Sequence, residues 1–174
     1  VALGAASLDA GAAFVNGSGQ NRPEDNDHKD FSGRLGMAFG GLWAGGSAYV
    51  GQQPAGPLRR YGGELRLRHG AFKVQAEFLR GTQDSLPGSR RTWQEGSYAL
   101  ASGTWMSLRP GFRWERWQPD LEDATGLEVS VTAGLDWLLT QDGRNKITLN
   151  HAVTRLGGAP GYKDRWIMQA QTAF

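Results

Sequence analysis

Apolar and polar side chains alternate along most of this chain with a period of two residues. In Gly126–Leu139, Leu127, Val129, Val131, Ala133, Leu135, Trp137 and Leu139 occupy one set of positions. Glu128, Ser130, Thr132, Gly134 and Asp136 occupy the other. Successive side chains of a strand point to opposite faces, so the segment reads as a strand with one apolar and one polar face. Ala71–Arg80 repeats the pattern, with Phe72, Val74, Ala76 and Phe78 set against Lys73, Gln75 and Glu77. Its predicted partner, Arg60–Arg68, sets Leu65 and Leu67 against Glu64, Arg66 and Arg68. A two-residue turn at His69-Gly70 puts Leu67 opposite Phe72 and Leu65 opposite Val74, so the apolar faces match across the hairpin.

The last segment, Arg165–Phe174, carries Trp166, Met168, Ala170, Thr172 and the terminal Phe174 on one face. Arg165, Ile167, Gln169, Gln171 and Ala173 lie on the other. An apolar strand face with an aromatic at each end suits a membrane barrel, whose aromatic girdles sit at the two interfaces and whose intervening residues face lipid. Further strands are expected at Leu3–Val15, Asp30–Phe39, Leu42–Gly51, Gly96–Leu108, Gly111–Gln118 and Lys146–Leu156. Within Gly96–Leu108 the phase stays open, because Tyr98, Leu100 and Met106 compete with Ala99, Ala101 and Trp105.

Connections fall into two alternating classes. Gly40-Gly41, His69-Gly70, Arg109-Pro110 and Gln141–Asn145 are short. Gly17–Lys29, Gln52–Arg59, Gly81–Gln94, Pro119–Thr125 and Gly157–Lys163 are longer and rich in Gly, Pro and charge. The expected fold class is therefore all-β: one antiparallel transmembrane β-barrel domain over residues 1–174. It has about ten strands in this chain, short periplasmic turns and longer extracellular loops. A soluble barrel with its apolar face inside is the rival, and the orientation of Phe78, Val129, Trp137 and Met168 separates the two.

Composition adds limits. A mean hydropathy of −0.48 fits a barrel with a wet lumen, which needs apolar residues at only half its strand positions. No apolar run approaches the about eighteen residues of a transmembrane helix. The 174 residues include no Cys, which rules out a disulfide scaffold, and a formal charge of +2 without a basic cluster gives no reason to expect nucleic acid. Val1 opens without Met or a basic-then-apolar leader, so a signal peptide is expected to have been removed, or the chain to be part of a longer protein.

Several stretches resemble one family. Asn16-Gly-Ser-Gly19 followed by Asp25-Asn26 and Lys29-Asp30, then Ala48-Tyr-Val-Gly51, Tyr61-Gly-x-Glu-Leu-Arg66 and Gly70-x-Phe-Lys-x-Gln-Ala-Glu77, are similar to the phosphate-selective porin O and P family. Gly96-x-Tyr98, Arg113-Trp-Glu-Arg-Trp117 and the terminal strand continue the likeness in the same order. The collinear set covers nearly the whole chain. Members of that family are longer and form wide barrels that pass anions passively across the outer membrane. This chain resembles their carboxy-terminal portion. The resemblance implies a pore, but the constricting loop and most of the anion-selecting basic residues of the family have no counterpart here. Phosphate specificity is thus not carried over.

The expected pore-lining set is Arg34, Glu64, Arg66, Arg68, Lys73, Glu77, Arg113, Glu115, Glu128, Asp136 and Arg165, with Asp9 on the same face. Arg66, Arg68 and Lys73 cluster on one hairpin and would attract anions where they line water. The expected lipid-interface aromatics are Phe14, Phe39, Phe72, Phe78, Trp137, Trp166 and Phe174. His151, among Ile147, Leu149 and Val153, reads as a neutral interfacial histidine. The expected function is non-enzymatic: a bacterial outer-membrane porin for small hydrophilic solutes, with some anion bias.

Two alternatives stand beside it. Charged side chains could brace a plugged barrel, because small barrels fill their interiors. Asp25, Asp27 and His28 in the first long loop contain the ingredients of a rim protease. No cofactor or metal is expected, since no complete calcium-loop spacing follows those acids. Expected partners are outer-membrane lipid and lipopolysaccharide, small solutes or anions, and either further copies or other barrel strands. Direct closure of the first strand on the last would set Leu8, Ala10, Ala12 and Phe14 beside Met168, Ala170 and Thr172, with Asp9 and Arg165 on the opposite face.

Overall fold

The computed structural model describes residues 6–16, 29–53, 56–82, 92–140 and 142–172. They form one antiparallel sheet of ten strands in sequence order. The strands are β1 Ser7–Asn16, β2 Lys29–Phe39, β3 Leu42–Gln53, β4 Gly56–His69, β5 Phe72–Thr82, β6 Trp93–Gly103, β7 Leu108–Gln118, β8 Glu128–Leu138, β9 Lys146–Leu156 and β10 Tyr162–Gln171. Every neighbour in space is a neighbour in sequence, as in a meander built wholly from hairpins.

Register follows the alternation. Arg34 pairs with Ser47, Glu64 with Gly45 and with Glu77, Glu77 with Tyr98, Tyr98 with Glu115, Glu115 with Ser130, and Ser130 with Thr154. Directly paired residues share a face, so a polar face runs unbroken from β2 to β9. On the other face, Leu65 pairs with Ala76, Val131 with Trp114 and with Val153, and Leu149 with Met168. A one-residue slip at any ladder would exchange the two faces. Tyr98 and Leu100 fall on the polar face and Ala99 and Ala101 on the apolar one, which resolves the open phase of that strand.

Three connections differ from the expectation. The β4–β5 turn is Gly70-Ala71, not His69-Gly70: His69 pairs with Phe72 and Leu67 with Val74. The shift is two residues, which preserves both faces, and Gly70 takes the left-handed φ of 55° that the tight turn requires. Arg109-Pro110 is not a turn but lies inside β7, where Pro110 pairs with Leu135 of β8. The chain reverses at Met106-Ser107, between Trp105 and Leu108, which exchange backbone hydrogen bonds of 2.8 and 3.0 Å. The β6–β7 ladder is interrupted between Ser102–Gly111 and that bridge, so the missing N–H of Pro110 interrupts no named pair of β6. Gln52–Arg59 is not a long loop either, because β3 and β4 continue through it and pair Gln53 with Gly56. The division into short and long connections therefore has one exception, at 54–55.

Burial is inverted relative to a soluble sandwich. Among the described residues, the buried apolar side chains are only Leu58, Leu138 and Ala152. The apolar face is exposed: Phe78 is 42%, Trp137 54% and Met168 80% accessible. The soluble-barrel alternative requires those side chains inside, and they are not. The polar face is concave, since residues of β5 and of β10 line one cavity of about 490 Å³. The expected join of Leu3–Val15 to Arg165–Phe174 is not among the described pairings; β1 and β10 are the two edges of the ladder. Their described side chains are exposed on both faces.

Candidate functional site

The concave polar face gathers the charged residues, and the register explains how. Arg34 on β2, Glu64, Arg66 and Arg68 on β4, Lys73 and Glu77 on β5, Arg113 and Glu115 on β7, Glu128 and Asp136 on β8, and Arg165 on β10 all share it. Asp9 of β1 joins them, opposite Gly36. They divide into three groups.

The first group centres on Trp43 of β3, whose indole lies across Gly36 and Gly45. A Cβ at either glycine would stand 2.6 or 2.4 Å from the ring, so the missing side chains make the bed in which it lies. Arg34 and Arg66 cover that ring at 5.2 and 4.9 Å from its centroid, within cation–π range. Arg66 also pairs with Glu64, and Arg34 faces Asp9 at 3.6 Å. Arg68 and Lys73 line a recess of about 370 Å³ with Trp43 and Arg66, toward the Gly40-Gly41 turn.

The second group lies in the middle of the sheet. Gln75 donates to the Tyr98 hydroxyl at 2.6 Å, and Arg113 lies 4.9 Å over the Tyr98 ring. Arg113 also pairs with Glu115 at 2.7 Å. Glu77, Glu115, Glu128 and Arg165 line the large cavity with Tyr98 and Trp117. Four strands separate β5 from β10, so curvature is what brings Arg165 to the acids.

The third group, near the 139–145 turn, is built on Asp136. Lys146 donates to it at 3.0 Å and the Thr148 hydroxyl at 2.6 Å, with Arg109 3.8 Å away. Asp136 is thus remote from the central group, although alternation places both on one face. A separate anchor sits at the other end of β2. Asp30, 1% accessible, accepts from the Tyr49 hydroxyl and from the backbone N–H of Gln52 at 3.1 Å.

Trp43, Trp117, Arg109, Lys146 and Asp30 were not among the expected residues. The sequence places Arg109 in a turn, and Asp30 at the start of a strand and in the Lys29-Asp30 motif, with no sign that either carries a charge contact. Trp43 had a legible signal, because its own strand phase opposes Leu42, and Gly36 and Gly45 share its face. On the apolar face, Phe14, Phe39, Phe72, Phe78, Trp137 and Trp166 are all exposed. His151 stacks on Trp166 at 4.4 Å. Phe174, and the loop with Asp25, Asp27 and His28, lie outside the described residues. His69 and His151 are both on the apolar face, away from every acid of the polar one.

Chemically, the polar face offers alternating fixed charges and ring faces along a concave wall. Among the described residues it does not bring together a nucleophile with a base and an orienting group. Comparison of the sequence with protein-family models and with curated proteins gave no match.

Proposed function

We propose that this chain is the wall of a bacterial outer-membrane β-barrel, and that it acts as a porin for small hydrophilic solutes with a bias toward anions. The supporting observation is the segregation of faces. Most large apolar side chains of the sheet are exposed, while Glu77, Glu115, Glu128 and Arg165 on its other face line a concavity. In water that arrangement forgoes burial worth roughly 1.5–3 kcal/mol for each large apolar side chain. In lipid the same face is satisfied, and the charged face is left to line water. The collinear motifs from Tyr61 to Trp117 favour placement beside the porin O and P family.

The proposal has a physical requirement. A strand edge in hydrocarbon leaves backbone N–H and C=O groups unsatisfied at a cost of several kcal/mol each. In the membrane β1 and β10 must therefore hydrogen-bond to each other or to strands of another chain. A second reading, a plugged barrel without transport, is favoured by the pairing of Arg34, Arg66, Arg113 and Lys146 with acids or rings. Planar-bilayer recording of purified protein separates the two. Stepwise currents that scale with salt concentration support the pore, and silent bilayers containing inserted protein support the plug.

A further inference from the structure

The two ends of the apolar face differ in chemistry. Toward the turns at 40–41, 70–71, 104–107 and 139–145, the described strand residues of that face include no Lys, Arg, Asp or Glu. Toward the opposite end the same face carries a row of arginines among aromatic rings. Tyr61 pairs with Arg80, and Arg80 with Glu95. Arg116 pairs with Val129, Val129 with Arg155, and Arg155 with Tyr162. Arg80, Arg116 and Arg155 thus sit on β5, β7 and β9, alternate strands about 10 Å apart given the usual spacing between neighbours. Arg80 lies 5.3 Å over the Trp93 ring, which stacks on Tyr61 at 6.4 Å. Arg116 is held to Glu95 at 2.6 Å.

From this we infer that the row is a docking collar for the phosphate groups of an anionic, multiply phosphorylated lipid headgroup in the leaflet at that end. The inference rests on the membrane reading above. Arginine presents a planar fork of donors that fits phosphate, and rings beside it fix its orientation at the level where headgroup meets hydrocarbon. A generic interface would call for aromatics at both ends, as the face supplies, but not for guanidinium groups repeated at one end alone. Spacing on alternate strands lets one headgroup with two phosphates engage two arginines at once. The acids of the row, Glu95 and Asp164, are fewer than the cations, so the collar keeps a positive balance.

The test uses the full chain refolded into phosphatidylcholine vesicles, as wild type and as the Arg80→Gln/Arg116→Gln/Arg155→Gln variant. Flotation of the vesicles first reads insertion. Native mass spectrometry then reads retention of diphosphoryl lipid A and of its fully dephosphorylated counterpart. Both proteins should float; the variant should retain diphosphoryl lipid A roughly tenfold less or weaker still, as expected for the loss of charge-assisted hydrogen bonds. Neither should hold the dephosphorylated lipid. Equal retention by the two proteins, or equal retention of the two lipids, overturns the collar while leaving the membrane reading intact. Displacement of the lipid by inorganic phosphate also overturns it, assigning the arginines to a free anion instead. Failure of the wild type to float overturns the membrane reading and the collar with it. Should the triple variant alone fail to insert, single Arg155→Gln and Arg155→Lys variants carry the comparison, with Lys expected to restore part of the retention.

Discussion

At the scale of single residues, Asp30 is almost fully enclosed. Its carboxylate is enclosed, receives the Tyr49 hydroxyl and the Gln52 N–H, and lies where a Cβ on Gly51 would stand 2.4 Å away. Asp30→Ala removes an enclosed carboxylate that accepts from a half-buried hydroxyl and a backbone N–H, which costs about 1–3 kcal/mol. Urea unfolding of the vesicle-inserted protein, followed by tryptophan fluorescence, should show that loss. Asp142 lies in the turn beyond β8. The Thr140 hydroxyl and the Arg144 backbone N–H donate to its carboxylate and hold it below the usual carboxylate range. A depressed folded value means that its stabilisation is present at neutral pH and is lost as pH falls through that value. Asp142→Asn should therefore unfold more easily than wild type at pH 7, and the difference should vanish in strong acid. A difference that persisted below the depressed value would contradict this assignment. None of this depth was legible in the sequence. Alternation tells which face a side chain occupies, not whether it is enclosed, and so Asp30 looked no different from Asp9.

At the scale of elements, much more was legible. Faces of the clearly alternating strands, such as β5 and β8, follow from alternation, whereas the face of the Gly96–Leu108 segment does not, because apolar side chains stand in both of its phases. Turn positions were less legible. The β4–β5 turn lies one residue later than expected, which shifts the pairing register by two, and the β6–β7 turn lies three residues earlier, since register shifts of two are invisible to a face pattern and Pro110 misdirects the second. The β4–β5 hairpin nonetheless kept Arg66, Arg68 and Lys73 on one face, beside the recess at Trp43. If that hairpin lines a pore, Arg66→Gln/Arg68→Gln/Lys73→Gln should lower the chloride-to-potassium permeability ratio, read from the reversal potential in a salt gradient. The change should be largest in dilute salt and should nearly disappear near 1 M, where the screening length is about 3 Å. An unchanged ratio in dilute salt would remove these three residues from the conducting path.

At the scale of the whole molecule, the sheet poses a question that its sequence could not answer. Phases of β1 and β10 are compatible: Ala10 and Ala170 share the apolar face, and Asp9 and Arg165 the polar one. Among the described residues, the pairings run from β1 to β10 and include none between those two strands. Because the chain has no native cysteine, a cysteine pair at Ala10 and Ala170 reports closure cleanly. Self-closure predicts an intramolecular crosslink between the two cysteines in vesicles, whereas edges that each meet a strand of another chain predict crosslinks between chains alone. An efficient intramolecular crosslink would establish a barrel closed on its own ten strands.

The central claim is that one face of this sheet meets lipid and the other meets water. Val131 and Thr132 are adjacent in β8, on opposite faces, in mid-strand. Single-cysteine variants at these two positions, inserted in vesicles, can each be tested with a membrane-impermeant aqueous thiol reagent and with a bilayer-resident quencher of an attached fluorophore. The account predicts that the Val131 position is shielded from the aqueous reagent and quenched from the bilayer, and that the Thr132 position shows the reverse. Equal aqueous reactivity at both positions, without quenching from the bilayer at Val131, would contradict it.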